Sequence, residues 1–152
     1  MVVKITNFDN YNMNQQGRMK TAVIFVVDKN PIHRSLIKYN LNISKFTTVY
    51  TFSSAEECLY RMQKNLRPDF LITSFFTGNY SGFDFLRIIL EIDPVTRVVF
   101  FDAFEDPDIP ARLIEAGACD YVAKTRDPDA GIAELLKNVS FLAREKALIG
   151  RV

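Results

Sequence analysis

Residues 22–31, AVIFVVDKNP, contain the change of pattern that decides the fold. The first six are a continuous apolar run rich in β-branched side chains, which is typical of a strand buried on both faces of a sheet. Asn30 and Pro31 then supply a helix N-cap and a first-turn proline. This stretch therefore predicts a buried strand that leads directly into a helix.

The same strand-to-helix unit recurs along the chain. Strands are predicted near residues 47–52, 70–73, 98–101 and 120–123, each followed by apolar residues at helical spacing. Ser53 and Glu56 match a capping box before the second helix. Five buried strands alternating with five amphipathic helices predict an α/β fold, a five-stranded parallel sheet with helices on both faces.

Bulk composition favours one globular domain. The chain has 152 residues, of which 48% are hydrophobic and 24% charged. We predict a folded domain at residues 19–148, preceded by a polar, Asn-rich and flexible leader at residues 1–18. The formal net charge of +1 argues against a surface built mainly to bind nucleic acid.

Location and metal content are also constrained. No apolar run approaches the ~20 residues that cross a bilayer, and no signal peptide opens the chain, so we expect a cytoplasmic protein that does not bind membranes. Cys58, Cys119 and the single histidine, His33, lack zinc-ligand spacing. We expect both thiols to be reduced and partly buried.

Polar residues lie where four of the predicted strands end: Asp28 and Lys29 after the first, Ser74 after the third, Asp102 after the fourth and Lys124 after the fifth. In doubly wound sheets the working residues lie at the carboxyl ends of the strands. We therefore expect these five side chains to share one pocket.

Three segments, with the strand that ends at Asp28, carry a family resemblance. Residues 68–74 (PDFLITS), 82–86 (GFDFL) and 117–124 (GACDYVAK) resemble, in order and spacing, the receiver domain of bacterial response regulators. The resemblance covers residues 21–142. It implies a flavodoxin-like or CheY-like sheet in the order 2-1-3-4-5 and a role in two-component phosphorelay signalling.

Several phosphorylation-site positions depart from the family pattern. By resemblance, Ser74 stands in place of the phosphoacceptor aspartate, Lys29 in place of the second metal-binding acid, and Asp102 in place of a threonine or serine. Thr125 replaces the usual proline. The positions that match are Asp28, Ala103, Tyr121 and Lys124.

These departures change the charge of the pocket. The family pocket carries three carboxylates and one ammonium, a net of about −2 that Mg²⁺ neutralises. Two carboxylates and two ammonium groups give this chain a neutral pocket, so we expect no cofactor and weak or absent Mg²⁺ binding. Serine is a poor nucleophile without a positioned base, and His33 lies outside the motifs.

The sequence thus favours a non-enzymatic pseudo-receiver that acts by protein–protein contact. The resemblance places its partner face on the fourth helix, fifth strand and fifth helix, with Tyr121, Phe104 and Leu113 as candidate residues. The partner is a histidine kinase or another signalling protein, and a homodimer is open; direct nucleic-acid binding is not expected.

Two alternatives remain. One is an active phosphoacceptor or phosphotransfer protein with altered chemistry at Ser74 or Asp102. The other is a flavin- or nucleotide-binding domain, which normally has a Gly/Ser/Thr-rich phosphate loop after the first strand. Residues 28–31, DKNP, contain neither glycine nor a hydroxyl group, which disfavours this reading.

Overall fold

Five strands and five helices alternate along the chain. The computed structural model describes residues 22–149, with side chains described for residues 22–145, so the predicted leader at residues 1–18 lies outside this range. The strands are β1 (Val23–Val27), β2 (Thr48–Phe52), β3 (Phe70–Thr73), β4 (Arg97–Asp102) and β5 (Asp120–Ala123). The helices are α1 (Pro31–Ile43), α2 (Ala55–Gln63), α3 (Gly82–Ile92), α4 (Asp108–Glu115) and α5 (Pro128–Ile149).

The strands form one parallel sheet in the order β2-β1-β3-β4-β5, which confirms the predicted topology. Because all the strands run in the same direction, their carboxyl ends lie along one edge. The residues that follow β1, β3, β4 and β5 are thereby placed along the same side of the sheet, at the carboxyl ends of its strands.

Successive strand residues point to opposite faces, and each face is covered by its own helices. On one face, Phe25, Leu71 and Phe100 pack in a cluster with buried residues of α2, α3 and α4. On the other face, Ile24 and Val99 pack in a cluster with buried residues of α1 and α5. The sheet therefore separates two apolar cores.

The second helix begins one residue later than the sequence suggested. Its N-cap is Ser54, whose Oγ accepts a hydrogen bond from the backbone N–H of Glu57 at 3.3 Å. Glu57 in turn accepts from the backbone N–H of Ser53 at 3.0 Å. The prediction of a Ser53–Glu56 capping box is wrong by one position, because two adjacent serines precede two adjacent glutamates. Glu56 is thus left for another partner.

Two remaining expectations concern the thiols and the membrane. Cys58 is buried and Cys119 half-buried, and both are free thiols. Burial raises the pKa of each thiol above its ordinary value.

Among the helices of the described range, none combines the length and apolar character needed to cross a bilayer.

Candidate functional site

Asp28 is a buried carboxylate immediately after β1. Its Oδ2 accepts a hydrogen bond from Lys124 Nζ at 2.8 Å, and its Oδ1 accepts from the backbone N–H of Asn30 at 2.9 Å. Lys124 follows β5, which is separated from β1 in the sheet by β3 and β4. The ion pair therefore reaches across the carboxyl ends of the strands through Oδ2 of Asp28, and the Asn30 amide occupies Oδ1.

His33 belongs to this site, although sequence analysis placed it outside the motifs. Its Nδ1 lies 3.0 Å from Lys124 Nζ and 3.7 Å from Asp28 Oδ2. An ammonium group only donates hydrogen bonds, so Nδ1 accepts in this contact and the ring hydrogen is assigned to Nε2. The available signal was the Asn30 cap, which places residue 33 in the first turn of α1, beside the end of β1.

Asp102 uses its carboxylate to hold backbone amides. Oδ2 accepts from the N–H of Phe75 at 2.7 Å, and Oδ1 accepts from the N–H of Ala103 at 2.7 Å. Its main-chain carbonyl accepts from the N–H of Lys124 at 2.8 Å. Asp102 therefore links β4 to the loop after β3 on one side and to the end of β5 on the other.

Ser74 immediately follows β3, as predicted. Its backbone N–H donates to the carbonyl of Val27 at 3.2 Å, which ties it to the end of β1. The side chain is buried, and Oγ has no hydrogen-bond partner among the described residues. A buried hydroxyl in this state is uncommon and costs stability.

Lys29 does not enter the pocket. Its side chain is exposed and forms no ion pair within the described range. The expectation of two carboxylates facing two ammonium groups is therefore wrong: Lys124 balances Asp28, whereas backbone amides hold Asp102. Asp28 is buried and the next residue, Lys29, is exposed in the bend that connects β1 to α1.

The loop between β3 and α3 is fastened by a second carboxylate. Glu56 Oε1 accepts from the backbone N–H of Asn79 at 2.8 Å. This hydrogen bond is the main reason that the pKa of Glu56 lies below its ordinary value. Gly78 has a φ of +84°, a conformation that suits glycine, and a Cβ there would collide with the Glu56 carboxylate.

Apolar side chains are exposed around β5 and its flanking helices. Tyr121 is 42% exposed, and its ring meets that of half-buried Phe104 edge to face, with centroids 6.2 Å apart. Ile114 on α4 and Phe141 on α5 are also exposed. Phe141 lies three residues after Asn138, whose side-chain amide donates to Asp120 of β5 at 2.9 Å.

Leu113 cannot belong to that surface. Its side chain is fully buried within the cluster formed with α2 and α3, so the prediction that it contacts a partner is wrong. In α4, Leu113 faces the core and the next residue, Ile114, faces solvent. Helical spacing in a short segment did not distinguish the two faces. From here on, the partner face means Phe104, Ile114, Tyr121 and Phe141.

No metal centre is evident in the residues whose side chains are described, because no three His, Cys, Asp or Glu side chains lie close enough together to hold an ion. Near the edge, Asp28 and Asp102 are the carboxylates that the sequence singled out. Each of their four oxygens already accepts a hydrogen bond.

The sequence is similar to those of known response regulators and chemotaxis proteins. The chain is 25% identical over 117 residues to the response regulator GacA of Pseudomonas aeruginosa, an alignment that covers 77% of this chain and 52% of GacA. It is 23% identical over 117 residues to the chemotaxis protein CheY of Thermotoga maritima, covering 77% of this chain and 96% of CheY. The aligned part thus spans about half of GacA and nearly all of that CheY.

Solved structures show the same architecture. CheY4 of Vibrio cholerae aligns with a TM-score of 0.67 at 21% identity, over 78% of this chain and 98% of CheY4. The BeF3-activated DrrB receiver domain aligns with a TM-score of 0.63 at 26% identity, over 76% of this chain and 95% of DrrB. The family model for the response regulator receiver domain matches residues 24–136. The chain therefore belongs to the response regulator receiver domain family.

Proposed function

We propose that this receiver domain acts through protein–protein contact and does not take up a phosphoryl group. One observation carries the proposal: the Asp102 carboxylate accepts the backbone N–H of Phe75, the residue after Ser74. By family resemblance, Ser74 occupies the phosphoacceptor position. The Asp102 carboxylate already accepts from the Phe75 N–H beside that position. A phosphoryl group on residue 74 would have to compete with this carboxylate for the same N–H.

The surroundings of Ser74 support the proposal. A serine nucleophile needs a neighbouring base to remove its proton. Ser74 Oγ is buried and has no hydrogen-bond partner among the described residues, so no base lies in contact with it there. As an alternative acceptor, Asp102 is disfavoured because both of its oxygens bind amides.

The same contacts make Mg²⁺ a poor fit. Magnesium prefers near-octahedral oxygen ligands and is usually held by one or two free carboxylates. Asp28 has one oxygen on Lys124 and the other on the Asn30 amide, so metal binding would displace an ion pair. We propose weak or absent Mg²⁺ binding, no cofactor and no enzymatic activity of this domain.

The partner face is the proposed contact surface. Exposed aromatic and aliphatic side chains on neighbouring elements are the kind of residue that anchors protein interfaces. We propose a histidine kinase or another signalling protein as partner, with a homodimer through the same face as the other arrangement, and no direct contact with nucleic acid. A cytoplasmic location is proposed with it, since it suits the free thiols.

Phosphate uptake provides the direct test. The protein is incubated with acetyl phosphate and Mg²⁺, and its intact mass is measured. We expect no added phosphoryl group and no thermal shift with Mg²⁺ and beryllofluoride. A ligand specific for the folded state at 100 times its Kd would add about 2.7 kcal/mol of stability, so binding would be visible. A phosphorylated product that maps to Ser74 or Asp102 would overturn the proposal in favour of an active phosphoacceptor.

A further inference from the structure

A cavity of about 360 Å³ lies between α1 and α5, above the ends of β4 and β5. Its volume is within the range of about 300–1,000 Å³ that is usual for small-molecule sites. The cavity adjoins the strand-end pocket through Lys124 and His33 but opens on the opposite side of the sheet from α3 and α4. No role for it follows from the contacts described so far.

The walls of the cavity are mainly apolar. Leu36 and Ile37 line it from α1, Ile132 from α5, and Phe101 from β4. Most of these side chains also belong to the core on this face. The walls are therefore held by packing that exists without a ligand, as is typical of pre-formed small-molecule sites.

Gly131 leaves part of this space open. It lies in the first turn of α5, where glycine is a weaker helix former than alanine. A Cβ at this position would make ordinary contacts at 3.5 Å with the Phe101 ring and the carbonyl of Ala123. Packing therefore does not demand glycine here, and its effect is to keep the cavity wide next to Phe101.

One end of the cavity carries an unpaired cation. Arg126 lines this end, is exposed, and forms no ion pair within the described range. The charge of neighbouring Lys124 is already balanced by Asp28 at 2.8 Å. Arg126 is therefore the group at this end that can pair with an anionic ligand, and its fork of donors suits a carboxylate.

We propose that this cavity binds a small carboxylate with an aromatic or branched apolar body. The apolar body packs against Phe101 and Ile132, and the carboxylate pairs with Arg126 at the open end. Charge complementarity selects an acid over a neutral molecule of the same shape. This role goes beyond the proposed protein contact and does not depend on it.

The test uses a matched pair of probes, 2-naphthoate and the uncharged 2-naphthamide, titrated into the full chain. Binding is followed by ¹H–¹⁵N spectra and by calorimetry. We expect 2-naphthoate to bind more tightly and to shift amide signals of α1, α5 and the residues after β5. Gly131→Leu fills the space beside Phe101 and should abolish these shifts. Ala133→Leu places the same side chain on the exposed side of α5 and should leave them unchanged.

A second variant tests the site without requiring that the fold accept a larger side chain at position 131. Arg126→Gln changes an exposed side chain and should weaken 2-naphthoate by about tenfold while leaving 2-naphthamide unaffected, because only the acid uses the charge. Equal affinity for the two probes would overturn the proposed ligand class. Absence of binding by either probe at millimolar concentration, or binding that survives in a folded Gly131→Leu variant, would overturn the site.

Discussion

The Asp102 carboxylate holds the backbone N–H of Phe75 at 2.7 Å and so fastens the end of β4 to the loop after β3. The carboxylate of Asp102 thus accepts a backbone hydrogen bond at the carboxyl ends of the strands. By family resemblance, this is where a phosphoryl group would bind. The consequences of this contact can be measured without knowing the partner.

Removal of the Asp102 carboxylate should destabilise the domain. Asp102→Ala leaves two amides without their acceptor, and we expect a loss of about 1–3 kcal/mol in the free energy of unfolding. Asp102→Asn keeps one acceptor oxygen and should lose less. Urea unfolding measures both, with Glu105→Ala, an exposed acid nearby, as a control expected within about 0.5 kcal/mol of the parent. Equal midpoints for Asp102→Ala and the control would contradict the fastening role.

The buried hydroxyl of Ser74 should contribute nothing to stability. Because Oγ has no partner among the described residues, Ser74→Ala removes a desolvated group and should leave stability unchanged or raise it by up to about 1 kcal/mol. Thr77→Val, at a buried hydroxyl that also has no hydrogen-bond partner in the described range, should behave in the same way. Thermal unfolding measures both, and a marked loss in either variant would mean that the hydroxyl has a hydrogen-bond partner in solution.

Restoring the family residues should restore the chemistry. The triple variant Lys29→Asp, Ser74→Asp and Asp102→Thr supplies an acyl-accepting carboxylate and frees the Phe75 N–H. We expect it to bind Mg²⁺ and to take phosphate from acetyl phosphate, as measured by calorimetry and intact mass. Ser74→Asp alone should fail, because it buries a third carboxylate near Asp28 and Asp102. Because the effects of substitutions at neighbouring sites are not additive, each single variant is measured too.

A folded triple variant that neither binds Mg²⁺ nor becomes phosphorylated would contradict the assignment of these three positions. Lys29→Asp alone is the matched control. It changes an exposed residue and should neither unfold the domain nor create phosphate uptake.

Contact with a partner should depend on the exposed aromatic side chains around β5. Phe141→Glu and Tyr121→Ser should each weaken capture of the partner, or self-association if the partner is a second copy, by at least about tenfold. Pull-down and sedimentation measure the two cases. Tyr60→Ser removes a similarly exposed ring from α2 and should have no effect. If all three variants bind as the parent does, the contact surface lies elsewhere.

Stability should fall in acid partly through Glu56. The pKa of this carboxyl is lowered in the folded protein, chiefly by the N–H of Asn79, so the charged form is favoured by folding. Its stabilisation is present above the ordinary value of 4.5 and is lost as pH falls through the folded value. The stability difference between the parent and Glu56→Gln should therefore shrink below about pH 4.5. A difference that stays constant from pH 7 to pH 3 would rule out this contribution.

The sheet was predictable because its signals are local. The apolar run before Asp28 and the short run at residues 70–73 are strands in the structure, and the strand order that the receiver resemblance implied is the observed one. The positions of Asp28, Ser74 and Lys124 followed from the same reasoning. The carboxyl ends of parallel strands lie on the same side of the sheet, independently of the conformation of the connecting loops.

The contacts within the site were not predictable to the same degree. Which groups Asp102 would bind depended on the path of the loop after Ser74, which no periodic pattern describes. His33 was missed because it lies in the first turn of α1, whereas the candidate residues were sought directly after the strands. Leu113 and Ile114 are adjacent in a helix of eight residues, too short for apolar spacing alone to define the buried face.

The ion pair between Asp28 and Lys124 joins residues separated by 96 positions. Such a contact closes a long loop, so it forms late relative to local helix and turn contacts. Until β5 is in place, Asp28 lacks the ammonium that balances it, and burying an unpaired carboxylate is costly. During synthesis, a nascent chain that ends before Lys124 is therefore expected to hold the end of β1 less firmly in the sheet. Emergence of β5 supplies this ammonium, and emergence of α5 then completes the core on the second face of the sheet.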